Sequence, residues 1–333
     1  MNILVTGANG FLGRHVVSSL LEVADVDTRI RCLVRVGSNL HGLDRLDVEV
    51  FRGSLDDESA YQEMLDGIDV VVHLAASMGG SPMGMFAETV VSTEKLVRHV
   101  NRSRVSRFVF CSSFSVYGAS QLKAGAVFDE RCPIEPNPTK RDSYAWCKYY
   151  QELWVKEKLD EAGLVVVRPG VIYGEGQGLL SSRVGLQLPG LPVFLRIGGR
   201  ARLPLIHVAN CADLIARATV RTDIKSEVFN AVDDECPTQS DYMAMYEGVC
   251  GKVPRKLWLP YPLFWLASAC YDGLHRLSKG NFPAIFSPYK ARSMYRPFEY
   301  SNGKAKTLLN WQPRVSLREG LEASAAVVKT GKV

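Results

Sequence analysis

The chain is short of the features that mark a protein for nucleic acid, for a bilayer or for an oxidising compartment. Its 40 Lys and Arg residues exceed its 35 Asp and Glu residues only slightly, for a net charge of +5. None of them forms a run long enough for a nucleic-acid stripe or a polybasic membrane segment. So mild an excess suits small anionic ligands. The eight cysteines, at 32, 111, 132, 147, 211, 236, 250 and 270, show neither CxxC spacing nor pairing with histidine. That argues against a metal site and leaves the reduced thiols of a cytoplasmic protein as the expectation. No apolar run reaches the roughly 18 residues of a membrane span. The longest, LWLPYPLFWLASAC from Leu257 to Cys270, carries two prolines. It reads as a core segment or dimer surface, ahead of a wall of an apolar substrate site or a membrane contact. The opening MNILV is preceded by no basic or long apolar region, so no export is expected. Neither repeats nor low-complexity tracts occur.

What is present is an ordinary globular composition, 47% hydrophobic and 23% charged, far from that of disordered chains. The length of 333 residues suggests about two domains. Short apolar runs (NILVT, RIRCLV, VEVFRG, DVVVHLAA, RFVFCSS, LVVVRPG) alternate with helical patterns over 11–23, after Asp57, up to Asn101, and over 143–161. Near-continuous apolar strands alternating with helices predict a doubly wound α/β fold, a parallel sheet covered on both faces. After Gly170 the loops GEGQG, LPGLP and IGGR interrupt the pattern. LPLIHVANCADLIARATVR then restores a strand and a helix, with Asn210 as the expected N-cap. The reading is a Rossmann domain over 1–170 with a return segment at 205–232. A smaller, interleaved substrate lobe over 171–204 and 233–333, with shorter helices, closes over the carboxyl ends of the strands.

Residues 6–13, TGANGFLG, follow the first strand and open a helix, the context of a dinucleotide loop. Gly7 and Gly10 allow the tight turn and close approach to a pyrophosphate; Gly13 lets helix and strand pack. Further on, DSYAWCKYY places Tyr144 and Lys148 four residues apart, on one helical face. A tyrosine with an unperturbed pKa of about 10 is a poor base at neutral pH, and a neighbouring ammonium favours its phenolate. Such a pair suits proton transfer during hydride exchange at a secondary alcohol or ketone.

TGANGFLG and SYAWCK, together with HLAAS at 73–77, FCSSFSVYG at 110–118, RPGVIYG at 168–174 and LIHVANCADLIARA at 205–218, resemble the extended short-chain dehydrogenase/reductase family, also called the epimerase/dehydratase family. The resemblance implies a catalytic set of Ser113, Tyr144 and Lys148, the serine polarising the substrate oxygen and the lysine also binding the nicotinamide ribose. It implies cofactor contacts from Gly7, Gly10, Phe11, Leu12, Gly13, Arg35, Ser54, Leu55, Leu74, Ala75, Ala76, Tyr144, Lys148 and Pro169. Ser112 and Ser115 compete with Ser113, and Tyr149 and Tyr150 with Tyr144, but neither of these tyrosines has a lysine four residues on. The second strand ends at Arg35 with no carboxylate until Asp44, so NADP(H) is favoured over NAD(H); Arg14 leans the same way. Two departures concern the adenosine side: Ser54 stands where the family has aspartate, and Thr89 where it has asparagine. His73 reads as a satisfied core histidine.

The C-terminal segments LPYPLFWLASACYDGLHRLSKG and FEYSNGKAKTLLNWQPRVSLREGL resemble the 3β-hydroxysteroid and sterol dehydrogenase branch. The expected function is an NAD(P)(H)-dependent dehydrogenase or reductase acting on a secondary hydroxyl or ketone of an apolar small molecule. The alternative is a nucleotide-sugar epimerase, dehydratase or reductase, with Arg183, Arg196, Arg200 and Arg202 available to clamp a diphosphate. A remoter one is a dinucleotide-sensing protein without turnover. The resemblance also implies a homodimer through helices at 84–101 and 143–161.

Overall fold

In the computed structural model, which describes residues 1–187, 193–251, 255–278 and 286–329, one sheet organises the chain. Its strands are β1 (Asn2–Thr6), β2 (Arg29–Val34), β3 (Glu49–Arg52), β4 (Val70–His73), β5 (Arg107–Cys111), β6 (Gly163–Pro169) and β7 (Glu227–Ala231). They lie in the order β7-β6-β5-β4-β1-β2-β3, and every pairing is parallel. The strands are buried on both faces because their alternate residues feed two cores. Ile3, Val5, Val70, Val72, Val165 and Val167 join one, while Leu4, Val71 and Val166 join the other. A half-exposed sheet would alternate apolar with polar; this one has no polar face to spare.

Helices α1 (Phe11–Val23) and α6 (Val208–Val220) cover the first core, packed against each other. The second is covered by α2 (Tyr61–Leu65), α4 (Ser92–Val100) and α5 (Ser143–Lys158), with α3 (Pro82–Phe86) running into α4 through a π-helical turn at Ala87–Val91. Strand order reverses between β1 and β4, so a crevice opens at their carboxyl ends, as it does in doubly wound sheets.

The segment at Leu205–His207 pairs with Val171–Tyr173 outside the central sheet. The expected N-cap for the following helix is corrected. His207 caps it, its ring Nδ1 accepting from the Ala209 amide at 3.3 Å, and Asn210 lies within the first turn. There the Asn210 amide donates to Asp233 and the Val315 carbonyl, both at 2.8 Å, and accepts from the Arg314 and Val315 amides. A polar residue beside a helix start reads as a cap in sequence; here its partners lie 23, 104 and 105 residues downstream.

The remaining chain contributes α7 (Gln239–Cys250), a strand at Arg255–Leu259 parallel to Val193–Ile197, α8 (Tyr261–Leu277), α9 (Pro288–Tyr295), α10 (Gly303–Leu309) and α11 (Leu317–Lys329). At 17 residues α8 is longer than any helix of the central sheet, against the expectation of shorter helices. Leu257–Cys270, expected as a core segment or dimer surface, is covered only in part. Phe264 and Ser268 are buried, but Leu257, Trp258, Leu263 and Leu266 are exposed. The LPGLP loop and the end of the LPYPLFWLASACYDGLHRLSKG segment lie outside the described residues.

Candidate active site

The glycine loop wraps the start of α1 so tightly that only glycine fits. A Cβ on Gly13 would stand 2.1 Å from the Gly7 carbonyl oxygen, and Gly7 itself has φ +69° with the Ala75 backbone nitrogen 3.0 Å from a Cβ. Gly10 caps α1 without a side-chain bond, and no acidic residue occupies the first turn. The first amides of the helix therefore keep their donors for an anion arriving from the crevice. These features fit a dinucleotide pyrophosphate.

The crevice is a cleft of about 810 Å³ running from Arg35 past the loop to Met294. Gly7, Gly10, Phe11, Leu12, Gly13, Arg35, Ser54, Leu55, Leu74, Ala75, Ala76, Ser113, Tyr144, Lys148 and Pro169 all line it. Arg14 does not. Arg35 is well exposed, and the Glu88 carboxylate, from a different element, comes within 4.0 Å of it. The acidic partner of Arg35 is thus delivered by the α3–α4 segment and not by the end of the second strand. Asp56, also in the cleft, accepts from the Ser92 hydroxyl at 3.0 Å. Thr89 accepts from the Ser77 amide at 3.0 Å.

Tyr144 and Lys148 project from one face of α5, whose N-terminus is capped by the Asp142 side chain on the Ala145 amide. The ammonium is buried and donates to the Cys111 carbonyl at 2.7 Å and to Gln151 at 2.5 Å. Burial lowers its pKa to about 8. The Tyr144 phenol is half-buried, open to the cleft but enclosed by protein atoms elsewhere. Burial pushes its pKa up to about 12, with the Ser113 hydroxyl pulling the other way. Burial thus outweighs every favourable neighbour of the phenol, and Lys148 is held by two neutral oxygen partners. The phenol is a proton donor in this state.

Several supporting residues escaped the sequence reading. Gln151, one turn past Lys148, donates to Thr93 at 2.8 Å, and Thr93 in turn meets His73 Nε2 at 2.8 Å. His73 Nδ1 closes the chain on Thr6 at 2.7 Å. Burial, then the charge of Lys148, hold the imidazole pKa down to about 3, so it is neutral, consistent with a satisfied core residue. Ser112 turns away from the cleft chemistry to bond Glu152 at 2.5 Å. Ser115 lines the cleft as Ser113 does, and its hydroxyl has no partner among the described residues. Tyr149 and Tyr150 join Phe86 and Trp146 in an aromatic group on the outer side of α5. Of the four arginines offered for a diphosphate, Arg183 alone lines the cleft; Arg202 pairs with Glu299 at 2.9 Å. Arg141, unremarked in sequence, lines it too, paired at 2.9 Å with buried Glu135.

The family model for the NAD dependent epimerase/dehydratase family matches residues 3–231. The chain belongs to that family. An Escherichia coli O157:H7 protein named N-acetyl-alpha-D-glucosaminyl-diphospho-ditrans,octacis-undecaprenol 4-epimerase is 27% identical, covering 83% of this chain and 81% of its own. A 3 beta-hydroxysteroid dehydrogenase/isomerase of Mycobacterium tuberculosis is 27% identical, covering 96% and 88%. Among solved structures, MoeE5 in complex with UDP-glucose and NAD superposes with a TM-score of 0.71 at 22% identity, covering the whole of both chains; that likeness concerns the fold. The protein is thus an enzyme of the extended short-chain dehydrogenase/reductase type.

Beneath the cleft, Glu152 receives Arg168 and, at 2.6 Å, Lys156, and these cations hold its carboxyl down to about 2 against the effect of burial. Because its folded pKa is depressed, its stabilisation is complete above the unfolded value of about 4.3 and is lost as pH falls toward 2. Replacing it with Gln leaves the buried Arg168 unpaired. Glu152→Gln is expected to cost about 3–5 kcal/mol at neutral pH and to flatten the acid limb of stability. Urea unfolding between pH 7 and 3 measures both, and an unchanged acid limb would count against the assignment.

Proposed function

We propose that this enzyme is an oxidoreductase that exchanges hydride at a secondary alcohol or ketone of a predominantly apolar small molecule, with Ser113, Tyr144 and Lys148 as its catalytic set. The observation that carries the reading is the convergence of these three residues and the glycine loop on one cleft. The relatives named for a hydroxysteroid and for an undecaprenol-linked sugar support a substrate with a large apolar part.

Bound along the loop, a nicotinamide dinucleotide supplies or accepts the hydride. In the reducing direction Tyr144 delivers its phenolic proton to the substrate oxygen as the carbonyl carbon gains hydride, and Ser113 donates a hydrogen bond to that oxygen. Ser113 is favoured over Ser115 because the Tyr144 phenol responds to it. The phenolate left behind is stabilised by the Lys148 charge, and Gln151 and the Cys111 carbonyl orient that ammonium. In oxidation the proton runs back.

A nucleotide-sugar epimerase, dehydratase or reductase is the second reading, favoured by Arg183. Its guanidinium lies in the cleft among Tyr300, Tyr295 and Arg141, and burial lowers its pKa. A half-buried cation that lines the cleft in this way suits an anionic substrate group. Following NAD(P)H oxidation over a panel of apolar ketones beside UDP- and GDP-sugars separates the two. Tyr144→Phe is expected to lower kcat by about 100-fold or more with dinucleotide binding retained. Reduction should weaken above pH about 8, where Lys148 loses its charge. Full turnover in the Phe variant would remove Tyr144 from the mechanism.

Preference for NADP(H) over NAD(H) rests on Arg35 at the cleft's edge, with Glu88 beside it as a counterweight. Arg35→Ala should weaken NADPH about tenfold, or ~1.4 kcal/mol, and leave NADH within a factor of two or so; equal losses in fluorescence titrations would argue for NAD(H).

The eight free thiols support a reducing, cytoplasmic setting. Homodimerisation through α4 and α5 is supported by the half-buried aromatic group there, in which Phe86 and Trp146 stack at 4.8 Å. Trp146→Glu is expected to sediment as a monomer; a parent chain that is itself monomeric would dismiss the dimer.

A further inference from the structure

The segment 179–183 has its backbone held firmly and its charge left unclaimed. Tyr242 on α7 donates its hydroxyl to the Leu179 carbonyl at 2.6 Å, Tyr295 on α9 donates to the Ser182 carbonyl at 2.8 Å, and the Gln239 amide to the Arg183 carbonyl at 2.6 Å. Buried side chains thus fix the position from which Arg183 extends. Its guanidinium is half-buried and lines the cleft, yet it has no hydrogen bond and no ion pair with any described residue. Two residues earlier, the buried Ser181 hydroxyl also lines the cleft and has no partner among the described residues. A cation withdrawn from water without a partner is costly. One that faces a cleft marks where an anion belongs.

The surroundings limit that anion to a single charge on an apolar body. The other cation acting on Arg183 is Arg141, and its charge is already matched by buried Glu135 at 2.9 Å. The Asp142 carboxylate also acts on the site, which opposes a multiply charged group. Arg196, Arg200 and Arg202 do not line the cleft, and Arg35 stands at its far end. A diphosphate would find half of its charge unanswered. Leu179, Leu205 and Tyr242 line the cleft and share one apolar cluster with Val184, the neighbour of Arg183. The apolar wall therefore begins beside the guanidinium. Arg141 and Asp142 immediately precede the turn of α5 that carries Tyr144, so the unpaired charge belongs to the end of the cleft where the phenol acts.

We propose that the substrate is an apolar hydroxy or keto acid whose single carboxylate pairs with the Arg183 guanidinium, which makes Arg183 the residue that determines specificity. The inference rests on the hydride-transfer reading of the cleft and narrows its substrate class. A planar guanidinium offers parallel donors that match the two oxygens of a carboxylate. Anchoring the acid at one end orients the apolar body, so that one carbonyl or hydroxyl among several is presented to Tyr144. A neutral analogue covers the guanidinium without satisfying it. That difference is the source of the discrimination.

The test reads binding before turnover. Isothermal calorimetry is run on the full chain saturated with NADP+ or NAD+, in which a ketone cannot be reduced. Two apolar keto acids, dehydrolithocholic acid and a ketostearic acid, are each compared with the methyl ester, which removes the charge. Each acid is expected to bind about tenfold tighter or more than its ester. Arg183→Met should bring the acid down to the level of the ester, and Arg183→Lys should keep part of the preference. NADPH titration of each variant checks that the fold survives. Acids and esters that bind alike, a parent chain that binds neither acid, or an acid preference that survives Arg183→Met overturns the proposal. So does UDP-glucose binding tighter than either acid and lost with Arg183→Met, which would assign the guanidinium to a diphosphate. Turnover with NADPH or NADH is then read separately. If the acids bind through Arg183 but are never reduced, the anion site stands and the hydride-transfer reading fails; if neutral ketones are reduced with no preference for acids, the reverse holds.

Discussion

The ammonium of Lys148 is removed from water at the carboxyl end of β5, and its demand for oxygen partners arranges the floor of the cleft. A buried cation without hydrogen bonds is too costly to keep. The Cys111 carbonyl and Gln151 meet the demand, but a buried glutamine then needs acceptors for its own amide. Thr93 supplies one, His73 holds Thr93, and Thr6 holds His73. One charged side chain on α5 thereby ties β5, α4, β4 and β1 together at the level where a dinucleotide would lie. Such a chain is valuable only when complete. Its neutral imidazole, far below its ordinary pKa, avoids a second buried positive charge a few Å from the first.

The next turn of the same helix solves a different problem. Glu152 carries a full charge into the interior, matched by Arg168 from β6 and by Lys156 from its own helix. Arg168 in turn lies over the Tyr117 ring at 4.6 Å, and Tyr117 donates to Asn230 on β7 at 2.6 Å. The RPG motif thus serves two purposes with adjacent residues, an arginine under the sheet's end and a proline in the cleft wall. Ser112 and Ser113 divide in the same manner. Successive residues of an extended chain point to opposite sides, so one hydroxyl meets Glu152 and the other faces the phenol.

The chain outside the central sheet spends its apolar residues in two directions. Tyr295, Phe264 and Ile197 make a small core that holds α9 against the cleft, while the leucines of α8 face outward.

Local pattern was enough for the parts whose chemistry is local. The glycine loop is legible because only glycine tolerates a carbonyl where its Cβ would be, and the doubly wound sheet because strands covered on both faces must be apolar throughout. Periodicity likewise places Tyr144 and Lys148 on one face of a helix. The tertiary structure alone decided what surrounds those residues. Glu88 reaches Arg35, Asn210 clamps a segment a hundred residues later, and the Lys148 ammonium is held by the Cys111 carbonyl. Whether the leucines of α8 were core or surface was equally undecided until its neighbours were in place. In each case the partner comes from a distant part of the chain, and burial and charge neighbours are properties of that assembly, which no window of sequence contains.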